Sequence, residues 1–505
     1  MLSGLLIGTS YIPFPPWALF FCLVPLFVWW SQSTDGKRAF WGGWLTQLIL
    51  NVIGFHWVAH TAREFGHLPA PAAWATLVLF CSTAHLYYPI AGWAAGRLGR
   101  WRALGPEARI LLSATLLLLL EAVLPVLFPW HLGYPWLWAR WPGVQTADVI
   151  GFEGLNVATV AVNAAFAVAY VRRAKVGRAL AWAGAGAALI AGLNLWGLAR
   201  KSAWDATDAE IKVLAVQGNV GNYEKLYAQR GAAYQADILA RYVGLTRKGL
   251  AAFPEADAVL WPETAFADNL DRHHQDRPNP RALRAFVVAT GKTLFTGAYS
   301  EDVKREHYYN GFFAIGPDGQ LVGDGYRKTI LLAFGEYFPG SDLVPWIFDL
   351  IPSISSFGRG KGPMVMPAAG VKIGPQICYE GLYPSFSAEL AKAGAEVILN
   401  VTNDSWFGRD FEPRQHLFMT LARALEVRRP LLRSTNTGIT TAILANGEIL
   451  AQSPQDEEWF DLFRLRYRRH PEATIYQKIE GFWPWALALT AALLLVFAHA
   501  RKSRS

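Results

Sequence analysis

The first 200 residues hold a succession of apolar stretches, most of them about as long as a bilayer is thick, and this narrows the available folds more than any other feature. A hydrocarbon core of about 30 Å needs roughly 20 predominantly apolar residues per helix. Such stretches run over 16–31, 40–58, 73–95, 109–128, 154–171 and 179–199, with a last one at 482–499. Residues 2–10 are apolar but short and run into Pro13, Pro15 and Pro16, which predicts a half-helix. No basic segment precedes them and no small-residue cleavage signature follows, so they read poorly as a removable signal peptide. The expectation is a multi-pass α-helical membrane bundle over 1–200 with about seven helices, a globular domain over 205–475, and one further membrane helix at 482–499.

Loop charges give the bundle an orientation. Lys37 and Arg38, then Arg97, Arg100, Arg102 and Arg109, then Arg172, Arg173, Lys175 and Arg178 fall on one side with the tail's Arg501, Lys502 and Arg504. The alternate loops hold little beyond Arg63 and Arg140. Basic loops face the cytoplasm, so residues 200–480 are expected in the periplasm of a bacterial inner membrane. The formal net charge of +8 does not point to nucleic acid, because the Lys and Arg lie in short loops rather than on one face. Of the three cysteines, Cys22 and Cys81 lie in apolar segments, which leaves Cys378 as the one thiol in the polar half. Three cysteines build no disulfide framework, and no Cys/His spacing suggests a zinc site. Gly92 and Gly96 are read as ordinary small residues of a membrane helix, with a close helix contact as the alternative. His56 and His60 read as interfacial histidines rather than as a chelating pair, and 128–136 as an aromatic, Pro-broken interfacial loop.

Beyond residue 211 short β-branched runs alternate with helical stretches, as expected of an α/β layered domain with a largely buried sheet. Strands are predicted at 211–217, 256–261, 293–298, 311–316, 371–378, 396–401 and 439–444, and a helix at 228–252. Glu263, Lys328 and Cys378 each stand at or just past a strand end, where open sheets commonly carry their sites. A thiol is a good nucleophile only as thiolate, and a neighbouring carboxylate can take its proton. Acyl transfer then builds charge on a carbonyl oxygen, which a fixed ammonium stabilises. Taken singly, these residues read as a buried structural thiol and two solvated charges.

Their contexts resemble the nitrilase superfamily, whose Glu–Lys–Cys triad occurs in this chain order. Trp261-Pro262-Glu263-Thr264, Tyr326-Arg327-Lys328 with Phe334-Gly335-Glu336-Tyr337, and Ile377-Cys378-Tyr379-Glu380 are similar to its three motifs. Within the superfamily, 403–408, Gln415-His416, 429–436, Ser355-Ser356-Phe357 and Gly360 resemble the apolipoprotein N-acyltransferase family over nearly the whole chain. The resemblance implies an αββα sandwich, with Glu263 as general base, Cys378 as acylated nucleophile and Lys328 as oxyanion stabiliser. Glu336, Tyr379 and Glu380 match supporting positions. It further implies a phospholipid acyl donor, a diacylglyceryl-cysteine apolipoprotein as acceptor, a thioester intermediate, and neither metal nor organic cofactor. No partner subunit is called for, so a monomer is expected.

Two departures stand out: Ala333 occupies a place where the family usually has Pro, and Lys225-Leu226-Tyr227 one where relatives commonly carry Trp. The apolar, Pro-bounded run 343–352 is expected to dip into the membrane beside the site, with a core helix as the other reading. A membrane-tethered amidase with the same triad and a non-enzymatic transporter or scaffold are the competing functions. Glu121, almost the only charge within the apolar spans, argues little for transport.

Overall fold

The computed structural model describes residues 1–33, 35–101, 104–221, 231–302, 307–337 and 357–502. The segments Lys225-Leu226-Tyr227, 343–352 and Ser355-Ser356 lie outside these. The chain forms two compact units, Met1–Lys201 with Lys478–Ser505, and Ser202–Gln477.

The first unit is helical: α1 (Leu2–Gly8), α2 (Val24–Gln32), α3 (Gly36–Gly54), α4 (Trp57–Glu64), α5 (Ala70–Thr83), α6 (Tyr87–Trp101), α7 (Pro106–Val123), α8 (Tyr134–Trp138), α9 (Ala147–Val171), α10 (Val176–Lys201) and a C-terminal helix, Phe482–Lys502. Among the described residues, Pro142–Val171 and Val176–Trp204 are long and apolar enough to cross a membrane, and Phe482–Val496 is a shorter apolar helix.

Two expected spans are broken instead. Residues 16–31 contain helix only from Val24, after a run of turns. The Asn163 amide accepts from Leu23 N–H at 2.8 Å and donates to the Leu19 carbonyl at 2.9 Å, satisfying backbone that a helix would have paired internally. Residues 73–95 likewise divide into α5 and α6. There Asn51 Nδ2 reaches the Cys81 carbonyl (3.0 Å) and Gln47 Nε2 the Ser82 carbonyl (2.6 Å).

Gly92 and Gly96 do serve a close helix contact, so the alternative holds over the plainer reading. A Cβ on Gly92 would stand 2.6 Å from the Ala39 carbonyl oxygen, and one on Gly96 3.0 Å from Gly36 Cα. Only glycine lets α6 approach α3 so closely. Glu121 is tied down by His131 Nδ1 (3.1 Å) and by Asn156 Nδ2 (2.8 Å).

The second unit is built on two sheets where the residue pattern alone suggested one. In the first sheet the order is β12 (Trp459–Tyr467), β1 (Ala209–Gln217), β2 (Ala258–Leu260), β4 (Thr293–Asp302), β5 (His307–Ile315), β6 (Tyr326–Arg327), with β3 (Phe266–Asn269) also beside β4. The second runs β11 (Thr441–Ile443), β10 (Leu431–Thr435), β9 (Val397–Thr402), β8 (Val371–Ile377), β7 (Met366–Ala368). Strands β8, β9 and β10 are parallel, and every residue of β9 and β10 is buried, as parallel strands covered on both faces should be.

The sheets meet through β1 against β10 and β5 against β8. Helix α11 (Ala232–Ala252), with α12 (Pro278–Thr290) beside it, packs on the first sheet, and α14 (Phe411–Val427), with α13 (Pro384–Lys392) beside it, on the second. The layers are therefore α, β, β, α. Trp261 is fully buried between α11 and the sheet, its indole N–H donating to Thr246 Oγ1 at 2.9 Å. That satisfies the one polar atom of a side chain whose burial dominates its surroundings.

Candidate active site

Glu263 emerges where β2 stops. The Pro262 carbonyl accepts from Gly297 N–H on β4 at 3.1 Å, so the neighbouring strand holds the glutamate's backbone. A Cβ on Gly297 would sit 2.6 Å from Glu263 Cα, which leaves no room for any other residue there.

Lys328 follows β6 directly. Its N–H donates to the Asn310 carbonyl at 2.8 Å and its carbonyl accepts from Gly360 N–H at 2.7 Å. Cys378 begins the tight turn Cys378–Leu382 after β8 and has a left-handed backbone (φ 52°). For a non-glycine residue this is a strained conformation, of a kind that persists where the surroundings over-determine it.

The structure brings three of the expected side chains together. Lys328 Nζ lies 2.7 Å from Glu336 Oε1 and 3.4 Å from Glu263 Oε1, with only 1% of its side chain exposed. Burial alone would push the ammonium toward neutrality, but Glu336 and Glu263 outweigh it and raise its proton affinity above that of free lysine. The two carboxylates thus favour the ammonium form.

Cys378 is within electrostatic range of this cluster. Burial raises the thiol far above its usual range, the Glu263 charge adds to this, and Lys328 opposes it. Burial thus favours the protonated thiol.

Glu380 faces a different set of groups. Its Oε1 accepts from the Tyr326 hydroxyl, Thr329 N–H (2.7 Å) and Ile330 N–H (3.2 Å), and its Oε2 from Ile377 N–H (2.8 Å). One carboxyl thus ties the lysine segment to the turn that begins at Cys378. Burial lifts it to about 7, although Tyr326 and the backbone donors pull the other way. Tyr379 packs edge-to-face on Tyr383, with ring centroids 5.2 Å apart. Beyond the Lys328 contact, Glu336 accepts Leu332 N–H on Oε2 at 2.9 Å, which closes the loop bearing Ala333.

Asn310 was not anticipated. Its Nδ2 donates to Glu263 Oε1 at 2.6 Å and lies 3.3 Å from Glu336 Oε1, while its carbonyl holds the lysine backbone. The available signal was a polar residue interrupting an apolar strand, Tyr309-Asn310-Gly311-Phe312. A buried amide in mid-strand needs partners, and here the partners are the two carboxylates.

A second buried cluster lies past β9, where Asp404, Glu412 and His416 present ligand atoms within 4.8 Å of one another. Arg433 Nη2 already reaches both Asp404 oxygens, at 2.9 and 2.8 Å, and stands 3.2 Å from His416 Nδ1. A guanidinium supplies the cation there, so the donor set does not suit a metal. Its effect is to pin Asp404, at the start of the turn that follows β9, to β10. His56 and His60 bring no third ligand among the described residues, and His56 Nδ1 faces the Ile53 carbonyl at 3.0 Å.

Comparison with known proteins decides the family. Residues 206–460 match the carbon-nitrogen hydrolase family, and 3–165 match the apolipoprotein N-acyltransferase N-terminal domain. An apolipoprotein N-acyltransferase from Bdellovibrio bacteriovorus is 46% identical, the alignment covering 100% of this chain and 94% of the relative. The chain belongs to the apolipoprotein N-acyltransferase family. A relative of the same description from Geobacter metallireducens is 29% identical over 100% of this chain and 95% of its own. Among solved structures, a branch 10 nitrilase-superfamily member from Saccharomyces cerevisiae is 17% identical with a TM-score of 0.39, covering 52% of this chain and 91% of that one.

Proposed function

We propose that this chain carries a fatty acyl group from a membrane phospholipid to the α-amino group of a lipoprotein's diacylglyceryl-cysteine, with Cys378 as carrier. Glu263 takes the thiol proton as Sγ attacks the ester carbonyl carbon. Lys328 and backbone N–H groups stabilise the oxyanion, a task for which one donor is typically worth about 3 kcal/mol. On collapse the ester C–O bond breaks, Glu263 returns the proton to the departing alkoxide oxygen, and a Cys378 thioester remains. The amine then attacks the thioester carbonyl, Glu263 accepts its proton, and the thiol is regenerated. The enzyme is ping-pong, since the first product leaves before the acceptor reacts.

The observation that supports this reading is a buried Lys328 whose Nζ lies 2.7 Å from Glu336 and 3.4 Å from Glu263, in a cluster whose charges act on Cys378. Creating the thiolate needs a general base, and Glu263 is the carboxylate this reading assigns to that task. Glu336, Tyr379 and Glu380 support the geometry without reacting.

The helical unit is read as a multi-pass inner-membrane bundle, with the second unit periplasmic and the protein a monomer. Helix α10 exposes Leu180, Leu195 and Leu198, and the C-terminal helix exposes Trp485 (78%), as lipid-facing helices do. The test uses detergent-purified full-length protein, phospholipid and a synthetic diacylglyceryl-cysteine peptide. Wild type yields N-acylated peptide and Cys378→Ala yields none. Release of free fatty acid with no acylated peptide would assign the site to a hydrolase instead.

A further inference from the structure

Thr402 ends β9 at the same edge of the second sheet where Cys378 follows β8. The strands are parallel and their ladder ends with Ile377 opposite Val401, so Cys378 and Thr402 are the residues that directly follow its last pair. Thr402 is completely buried, yet its Oγ1 makes no hydrogen bond of ordinary geometry among the described residues. A buried hydroxyl without a partner costs free energy and calls for an explanation. Its polar neighbour is the sulfur of Cys378, toward which it counteracts the effect of burial. Backbone bonding keeps the residue in place, since the Thr402 carbonyl accepts from Asn436 N–H at 3.3 Å. On the other side, Asn400 Nδ2 lies 3.5 Å from the Cys378 carbonyl, so β9 supports both the backbone and the side chain of the nucleophile.

We propose that the Thr402 hydroxyl is a catalytic hydrogen-bond donor to the Cys378 sulfur, engaged when the thiol gives up its proton and again when the thiolate leaves the thioester. A neutral thiol is a weak acceptor and leaves the hydroxyl unsatisfied. The thiolate is a strong one, and charge-assisted hydrogen bonds are roughly twice as strong as neutral ones. The hydroxyl keeps its own proton throughout, while the thiol proton goes to Glu263. The interaction therefore favours the charged sulfur over the resting one, as a contribution to rate must. This rests on Cys378 being the nucleophile.

The test is the rate of Cys378 alkylation by iodoacetamide as a function of pH, read by peptide mass on full-length protein in detergent. Thr402→Val keeps the side-chain shape and removes the donor; Thr402→Ser keeps the donor. The expected result is a Thr402→Val curve displaced about one unit to higher pH, about tenfold slower at fixed pH, with Thr402→Ser returning to the wild-type curve. A Thr402→Val curve that coincides with wild type overturns the proposal, as does a Thr402→Ser curve as displaced as that of Val. A wild-type Cys378 that resists alkylation at every pH overturns the nucleophile assignment itself, and this inference with it.

Discussion

Replacing Lys328 by Met removes the cation between the buried Glu263 and the half-buried Glu336 while keeping most of the side chain's volume. The Glu336 and Glu263 contacts, at 2.7 and 3.4 Å, each represent about 5–6 kcal/mol of gross attraction at an effective dielectric near 20. Desolvation offsets most of that, and breaking one side of a buried pair costs about 3–5 kcal/mol net. For a domain of this size, 1 kcal/mol corresponds to roughly 2–4 °C, so the variant is expected to unfold about 10 °C below wild type at pH 7.5. The assay is thermal unfolding of the detergent-solubilised protein. Adding Glu336→Gln removes the uncompensated charge and should recover at least half of the loss. Acyl transfer stays about 10²–10³-fold down in both variants, because the oxyanion donor is still missing. A Lys328→Met protein within 2 °C of wild type, or one equally destabilised with and without Glu336→Gln, would refute the ion-pair reasoning.

Gly297→Ala places a Cβ 2.5 Å from Thr264 N and 2.6 Å from Glu263 Cα, which pushes the glutamate off its position. The turnover rate for peptide N-acylation should fall at least tenfold, with about 1–3 kcal/mol lost in stability; unchanged turnover would contradict the close packing. Glu380 titrates near 7 in the folded protein against 4.5 for a free glutamate. Between those values the folded state binds the extra proton, so stability falls as pH rises from about 4.5 to about 7 and levels off above. Compared with Glu380→Gln, wild type should lose up to about 1.4 kcal/mol more per pH unit in that window, read as unfolding temperature against pH. Parallel profiles for the two proteins would contradict the assignment.

What could be read in advance divides along physical lines. Glu263, Lys328, Cys378, Glu336, Tyr379 and Glu380 were legible because each sits in a short motif beside a strand end. Strand β9 was legible as an unbroken run of buried residues, and β1 by its buried run from Val213 to Gln217. Strands β3, β6 and β7 have four, two and three residues, too few to show a period. The breaks within 16–31 and 73–95 depend on Asn163, Asn51 and Gln47, each donated by another helix. No local pattern carries that information, and apolar composition alone argues for a continuous span. Asn310 escaped for the same reason, since its partners lie 47 and 26 residues away along the chain.

The central claim is that Cys378 carries the acyl group, and intact mass reads this directly. Wild type and Cys378→Ala are each incubated with a phospholipid of defined acyl chains and no acceptor. The account requires wild type alone to gain the mass of one acyl chain, and to lose it when a diacylglyceryl-cysteine peptide is added. An adduct that also forms on Cys378→Ala, or none on a wild-type protein that still acylates the peptide, would contradict it.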